Sequence, residues 1–322
     1  MRVLITGGAG YLGSVLTRRL LDSGHDVRVM DKLVFGDEPI RGLESNDHFQ
    51  LVKGDITHIE DVTQAMSDID AVIDLAAIVG DPACKLNHEL TIKTNYWATQ
   101  VLTQVAASQG VHRFLFASTC SVYGLSDGSL SKEDGPTNPL SLYATTKADS
   151  ERVLLDISGP MEPLILRLST LCGPSYRMRF DLVLNIMTAT AYFDKEVRVF
   201  GGSQVRPLMD VRDAARAFQT LLELPSVSLE HRVYNVGGRS QNVTILDLGR
   251  EIAATMGNVK LVVSPELEDQ RSYGVDFSRV EHLGFVLEHS LRDSVLGIAD
   301  LLESKKIVDY TDNQYYNVRN HY

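Results

Sequence analysis

The chain has 322 residues, of which 44% are hydrophobic, with 31 Lys+Arg against 42 Asp+Glu for a formal net charge of −11. This ordinary globular composition excludes a disordered, collagen-like or coiled-coil chain. The acidic balance excludes a general nucleic-acid binder, whereas a phosphate-bearing small ligand needs just a few local arginines.

At about 150 residues per domain, the length predicts two domains or one large α/β domain with an appended lobe. No apolar run approaches the roughly 18 residues of a membrane helix, so no membrane partner is expected. Val3-Leu4-Ile5 is too short an apolar core for a signal peptide. Cys84, Cys120 and Cys172 are widely spaced and form no CxxC pair, which fits a reducing cytoplasm. The histidines show no HExxH pattern and no Cys/His cluster, so no metal site is expected.

In chain order, Arg2–Thr6 reads as a buried strand, and Leu12–Ser23 as the helix that follows a glycine-rich turn. Asp26–Met30, Phe49–Lys53 and Ala71–Leu75 read as the next strands. A helix over Glu89–Gln109 leads to strand Arg113–Ala117, and a helix over Tyr143–Asp156 to strand Leu164–Leu168. The apolar runs are continuous rather than alternating, as expected of strands buried on both faces of a parallel sheet. Strand–helix–strand repetition predicts an α/β fold with a doubly wound parallel sheet of Rossmann type. After Leu168 the pattern changes, and Gly173-Pro174-Ser175 breaks the chain. The predicted division is therefore a dinucleotide-binding domain at 1–168 and about 208–238, with a smaller C-terminal substrate-binding lobe at about 169–207 and 239–322.

The first strand runs into glycines at 7, 10 and 13. Such a turn lets backbone approach a pyrophosphate closely and sets the phosphates at the positive end of a helix. Asp31, ending the next strand, suits the ribose hydroxyls of an adenosine and would repel a 2′-phosphate, so NAD is preferred over NADP despite nearby Arg28 and Lys32. Tyr143 and Lys147 are four residues apart and so share one helix face. A tyrosine with its usual pKa of about 10 is a poor base at neutral pH, but an adjacent ammonium and an oxidised nicotinamide both favour the phenolate.

The spacing GxxGxxG in Thr6–Gly13 (TGGAGYLG) resembles the cofactor loop of extended short-chain dehydrogenases/reductases, the nucleotide-sugar epimerase/dehydratase family. Further segments agree in the family's order: Asp55-Ile56, Leu75-Ala76-Ala77, Ser118–Gly124 (STCSVYG), Tyr143–Lys147 (YATTK), Arg206–Asp213 and Tyr234–Gly238 (YNVGG). The resemblance implies that Gly7, Gly10, Tyr11, Leu12, Asp31, Asp55, Ile56, Leu75, Ala76 and Ala77 hold NAD, together with Tyr143 and Lys147. It makes Tyr143, Lys147 and the Thr119 hydroxyl the catalytic group. Asn95 is implied to tie its helix to the active-site loop.

On the substrate side, Arg206, Arg271, Arg179 and Asn185 are implied for a nucleotide diphosphate. Planar guanidinium forks suit that group. Arg177 is a further possibility for it, and Asp81, Cys120, Ser121 and Thr170 fall on the sugar side. In the family's 4,6-dehydratases the catalytic threonine is followed by Asp and Glu; here those positions are Cys120 and Ser121, which disfavours that reaction. Cys120 also reads as a small buried residue, and Asp81 as a turn-forming Asp-Pro.

The resemblance points to an NAD-dependent nucleotide-sugar 4-epimerase in a cytoplasmic homodimer, formed through the helices near Glu89–Gln109 and Tyr143–Asp156. A 4-ketoreductase, a dehydratase and, least of all, a non-enzymatic dinucleotide-sensing regulator remain alternatives. The tail Tyr310–Tyr322, polar and tyrosine-rich, reads as a peripheral segment.

Overall fold

A computed structural model describes residues 1–266 and 271–319. In chain order its strands are β1 Arg2–Thr6, β2 Asp26–Asp31, β3 Phe49–Lys53, β4 Ala71–Asp74, β5 Arg113–Thr119, β6 Leu125–Ser131 and β7 Glu162–Leu168. There follow β8 Thr170–Cys172, β9 Glu196–Phe200, β10 Val205–Asp210, β11 Val233–Val236, β12 Asn242–Thr244, β13 Lys260–Ser264 and β14 Ser272–Val275.

Seven strands form one parallel sheet in the order β11-β7-β5-β4-β1-β2-β3. The continuous apolar run of β1 is explained by its two buried faces. Val3 and Ile5 join a core that includes Leu16 and Leu20 of helix Gly13–Asp22, while Leu4 joins Val62, Leu102, Phe114 and Phe116 on the other side. All six strands predicted for the first half form; β5 extends to Thr119 and β7 begins at Glu162. The short strand β11, which overlaps the YNVGG segment, completes the sheet beside β7.

The predicted helix over Glu89–Gln109 is interrupted. His88–Ile92 and Ala98–Ser108 are α-helical, and Lys93–Trp97 is a π turn. The Asn95 carbonyl accepts from Ser150 Oγ at 2.9 Å and Thr99 Oγ1 at 3.1 Å, so the widened turn is stitched by side chains.

The later segments build small sheets, β12-β10-β8, β13-β9 and β14-β6, rather than prolonging the large one. No helix among the described residues is long and apolar enough to cross a membrane. Because β1 is flanked by β2 on one side and β4 on the other, strand order reverses at the C-terminal end of β1. Open α/β sheets form their ligand crevice at such a point.

Candidate active site

A cleft of about 1220 Å³ opens at this reversal. Its cofactor end is built from the first strand–helix turn. Gly7 has φ +71°, and a Cβ there would lie 2.9 Å from the backbone of Ala76. A Cβ on Gly13 would lie 2.2 Å from the Gly7 carbonyl oxygen, so helix Gly13–Asp22 can start this close to the strand just because residue 13 lacks a side chain. The Gly10 N–H donates to that same carbonyl at 3.0 Å. This cradle fits a dinucleotide pyrophosphate. Gly13→Ala is expected to weaken NAD binding about tenfold or more through backbone displacement, checked by titration of NAD into stripped protein. Unchanged affinity would contradict the cradle.

The Asp31 carboxylate accepts from the N–H groups of Ala9 at 2.9 Å and Leu33 at 2.8 Å. Burial raises its pKa, opposed by those two bonds and by the Arg177 guanidinium. Of the cations beside it in sequence, Arg28 donates to the carbonyls of Ala65 and Ser67, and Lys32 pairs with Asp55 at 3.0 Å. The Thr6 hydroxyl donates to Asp74 at 2.6 Å and accepts from Leu75 and Ala76, fixing the loop Leu75–Ala77 against the glycine turn. Gly7, Gly10, Tyr11, Leu12, Asp55, Ile56, Leu75, Ala76 and Ala77 all line the cleft.

Tyr143 and Lys147 lie in helix Leu142–Leu155, capped by Ser141 Oγ, and both line the cleft with Thr119 at the end of β5. Lys147 is buried, its ammonium 4.5 Å from the centre of the Phe116 ring. Burial pushes it down to about 8, while Asp74, Cys84 and Glu151 act in the opposite direction. Tyr143 packs against the small cluster of Ile78, Ala83 and Cys84. Burial raises its pKa, the Cys84 thiol and Asp81 carboxylate add to the rise, and the Arg179 guanidinium opposes it. Arg179, implied for the diphosphate, is thus a cation acting on the Tyr143 phenol. Thr119 Oγ1 accepts from the Ser121 N–H at 3.1 Å, and Ser121 Oγ lies 3.2 Å from the Tyr273 hydroxyl. Tyr273, which the sequence reading did not single out as a site residue, also lines the cleft, as does Asn317.

Two implied substrate residues are not on the cleft. Cys120 opens a 3₁₀ turn that rotates its side chain into the core, where the thiol donates to the Arg167 carbonyl at 3.2 Å. Asn185 is fully buried: its Oδ1 accepts from Gly173 N–H, and its Nδ2 donates to the Tyr11 hydroxyl and the Arg179 carbonyl. Asn185 and the sugar-side placement of Cys120 are corrections to the sequence expectation, whereas the reading of Cys120 as a small buried residue agrees with its position; both are consumed in the fold.

The remaining substrate candidates converge. Arg179 grips Asp181 through two bonds of 2.9 and 2.8 Å. Arg271 pairs with Asp81 at 2.8 Å, joining residues that the sequence assigned to opposite ends of a substrate. Arg206 donates to the carbonyls of Val205 and Arg271 and lies against the Tyr273 ring, 5.3 Å from its centre. Thr170 and Ser121 line the same space. Asp269 and Gln270, part of the sequence landmark around Arg271, lie outside the described residues. Asn95 bonds both backbone groups of Ile78, at 2.8 and 2.9 Å, and so holds the loop beside Tyr143.

A dinucleotide cradle, a Tyr/Lys pair and several arginines thus share one cleft. A family model described as the NAD dependent epimerase/dehydratase family matches residues 3–237. The chain belongs to that family. It is NAD-dependent, as the glycine turn and Asp31 fit, and its members include several reactions. The chain is 29% identical to a dTDP-glucose 4,6-dehydratase of Streptomyces griseus, over 91% of each sequence. It is 27% identical to a UDP-glucose 4-epimerase of Corynebacterium glutamicum, over 78% of this chain and 80% of that one. Among solved structures it is similar to the UDP-glucuronic acid 4-epimerase of Bacillus cereus in complex with UDP-glucuronic acid and NAD. That match has a TM-score of 0.83 and 28% identity, and covers 94% of this chain and 99% of the other.

Proposed function

We propose that this enzyme is a nucleotide-sugar 4-epimerase acting by transient oxidation at C4 and return of hydride to the opposite face. The carrying observation is the end of β5. Thr119 brings a hydroxyl to the cleft, but the next two positions bring no carboxylate, and Cys120 turns away from it. The acid–base pair that 4,6-dehydration would take from these positions is missing, whereas epimerisation needs one proton acceptor that later donates the same proton.

NAD, when bound, supplies the acceptor and then the donor of hydride. Tyr143 takes the proton of the sugar 4-hydroxyl and gives it back after the keto sugar has turned. Lys147 favours the phenolate by its charge, and Thr119 hydrogen-bonds the reacting oxygen. Arg206 and Arg271 are assigned to the diphosphate, Asp81, Ser121 and Thr170 to the sugar side. The dinucleotide domain is assigned to 1–168 and about 208–238, with the remainder forming the sugar lobe. Exposed Ile92 and Trp97, within the segment 89–109, and Leu155 at the end of the second helix support a homodimer through those helices. Sedimentation would show a species of twice the chain's 35.6 kDa.

Incubation with UDP-, GDP-, CDP- and dTDP-sugars, read by mass spectrometry and NMR, tests the reaction. A product of unchanged mass inverted at C4 is expected, with no net cofactor consumed. Loss of water, or reduction with consumption of added NADPH, would replace this reading with the dehydratase or the reductase. The pH profile adds a second check. Lys147 carries its charge below about 8 and loses it above, so kcat/KM should fall as pH rises through that value. The residual activity of Lys147→Met should lack that limb; a limb that persists would assign it to another group.

A further inference from the structure

The C-terminal tail does not stay peripheral. Phe180 N–H donates to the Tyr315 carbonyl at 3.0 Å, and the Phe180 ring meets Tyr310 and Tyr315 edge-on. Tyr310 also stacks on Phe193, and Arg177 donates to the Gln314 carbonyl at 3.5 Å. So anchored, the tail carries the 3₁₀ turn Asn317–Arg319 against the start of helix Asp81–Leu86, and Asn317 and Val318 line the cleft.

Asn317 is 5% exposed, and its Nδ2 donates to the Val79 carbonyl at 3.2 Å. A carbonyl can accept but not donate, so the amide's orientation is fixed and Oδ1 is the atom left over. Among the described residues, two buried side-chain oxygens on the cleft have no hydrogen-bond partner: Asn317 Oδ1 and Asp81 Oδ1. They belong to one neighbourhood, since Asn317 binds Val79, two residues before Asp81. Both are acceptors. Buried acceptors are satisfied in nearly all native proteins, so the complementary group is a donor. Sugar hydroxyls are donors; a carboxylate at neutral pH is not. Two cations nearby are already opposed, half-buried Arg271 by Asp81 and buried Arg179 by Asp181, while Lys85 and His88 stand at the exposed rim.

We infer that Asn317 is a sugar-contacting residue delivered by the C-terminal tail, and that with Asp81 it selects a neutral hydroxylated sugar over a uronic acid. This rests on the nucleotide-sugar reading above, not on the reaction at C4.

Calorimetric binding to the full-length, NAD-loaded protein tests it, with UDP, dTDP, GDP and CDP each alone, as the glucose ester and as the glucuronate ester. For the nucleotide that binds best, the glucose ester should bind about tenfold or more tightly than the glucuronate. Asn317→Ala should weaken the glucose ester about five- to twentyfold and leave the free diphosphate within about twofold. A second variant covers the event that Asn317→Ala undocks the tail. Asp81→Asn keeps the acceptor and removes the charge, so it should raise glucuronate affinity about tenfold relative to glucose.

Equal weakening of ester and free diphosphate in Asn317→Ala, no change in either, or a wild-type preference for glucuronate would overturn the inference. If none of these nucleotides binds, the nucleotide-sugar reading falls and this inference with it. If the binding pattern appears without epimerisation, the contact is supported and the reaction assignment alone is overturned.

Discussion

Tyr143→Phe is expected to lower kcat by about 10²- to 10⁴-fold, the range that a positioned general acid–base contributes. The ring stays, and with it the packing on the cluster of Ile78, Ala83 and Cys84, so the fold should be unaffected. What disappears is the phenolic oxygen to which the proposed proton exchange with the sugar is assigned. Steady-state rates on the substrate identified by the nucleotide-sugar panel, with KM measured alongside, are the check. An unchanged KM with a collapsed kcat locates the loss in the chemical step. Retained turnover would remove Tyr143 from the mechanism.

The surroundings of this tyrosine explain why such a loss is not rescued locally. Burial, Cys84 and Asp81 all hold its proton on, with Arg179 opposing them. The proposed phenolate therefore needs positive charge beside it, from Lys147 and from the oxidised nicotinamide when NAD is bound. Asp81 has two functions in this arrangement. It pairs with Arg271, and it raises the pKa of Tyr143. Drawing Asp81 into contact with substrate hydroxyls would change both interactions in the same event.

Much of the fold was legible because its strands announce themselves. Val3, Leu4 and Ile5 are apolar on both faces, so the sequence run and the burial coincide. Asp31, Tyr143 and Lys147 were legible because each sits at a fixed offset from a local element. Residues fixed by long-range contact were not. The π turn at Asn95 exists because Ser150, on another helix, shares its carbonyl with Thr99, and no local periodicity encodes that. Cys120 follows a strand buried on both faces, so its type was compatible with the core, but nothing in that run encodes the 3₁₀ turn that takes it off the cleft. Arg271 and Asp81 are brought together by topology alone. Asn317 belongs to a polar tail without amphipathic pattern; the aromatic spacing of Tyr310 and Tyr315 was the available signal, and it reports anchoring rather than the contact two residues later.

The largest expected effect on stability lies beneath the catalytic helix. Glu151, one turn after Lys147, is buried and receives the Arg167 fork at 3.0 and 2.7 Å, together with the Ser118 hydroxyl. Arg167 also donates to the Tyr123 hydroxyl at 2.9 Å, and Tyr123 in turn to Asn235 Oδ1 at 2.7 Å. One connected network thus joins the helix of Tyr143 and Lys147 to β5, β7 and β11, the strands on one side of the cleft. Removing one member of a buried ion pair leaves an uncompensated charge, so Glu151→Ala should cost about 3–5 kcal/mol. For a chain this long that is a fall in Tm of about 4–7 °C, measured by circular dichroism on the NAD-loaded protein. Because Lys147 hangs on the same helix turn, kcat should fall with it. Adding Arg167→Met removes the stranded guanidinium and should recover most of the stability but not the lost rate, since the helix is no longer tied to β5 and β7. A Glu151→Ala protein within 1 kcal/mol of wild type would show that solvent or relaxation satisfies Arg167, and that this network does not hold the catalytic helix in place.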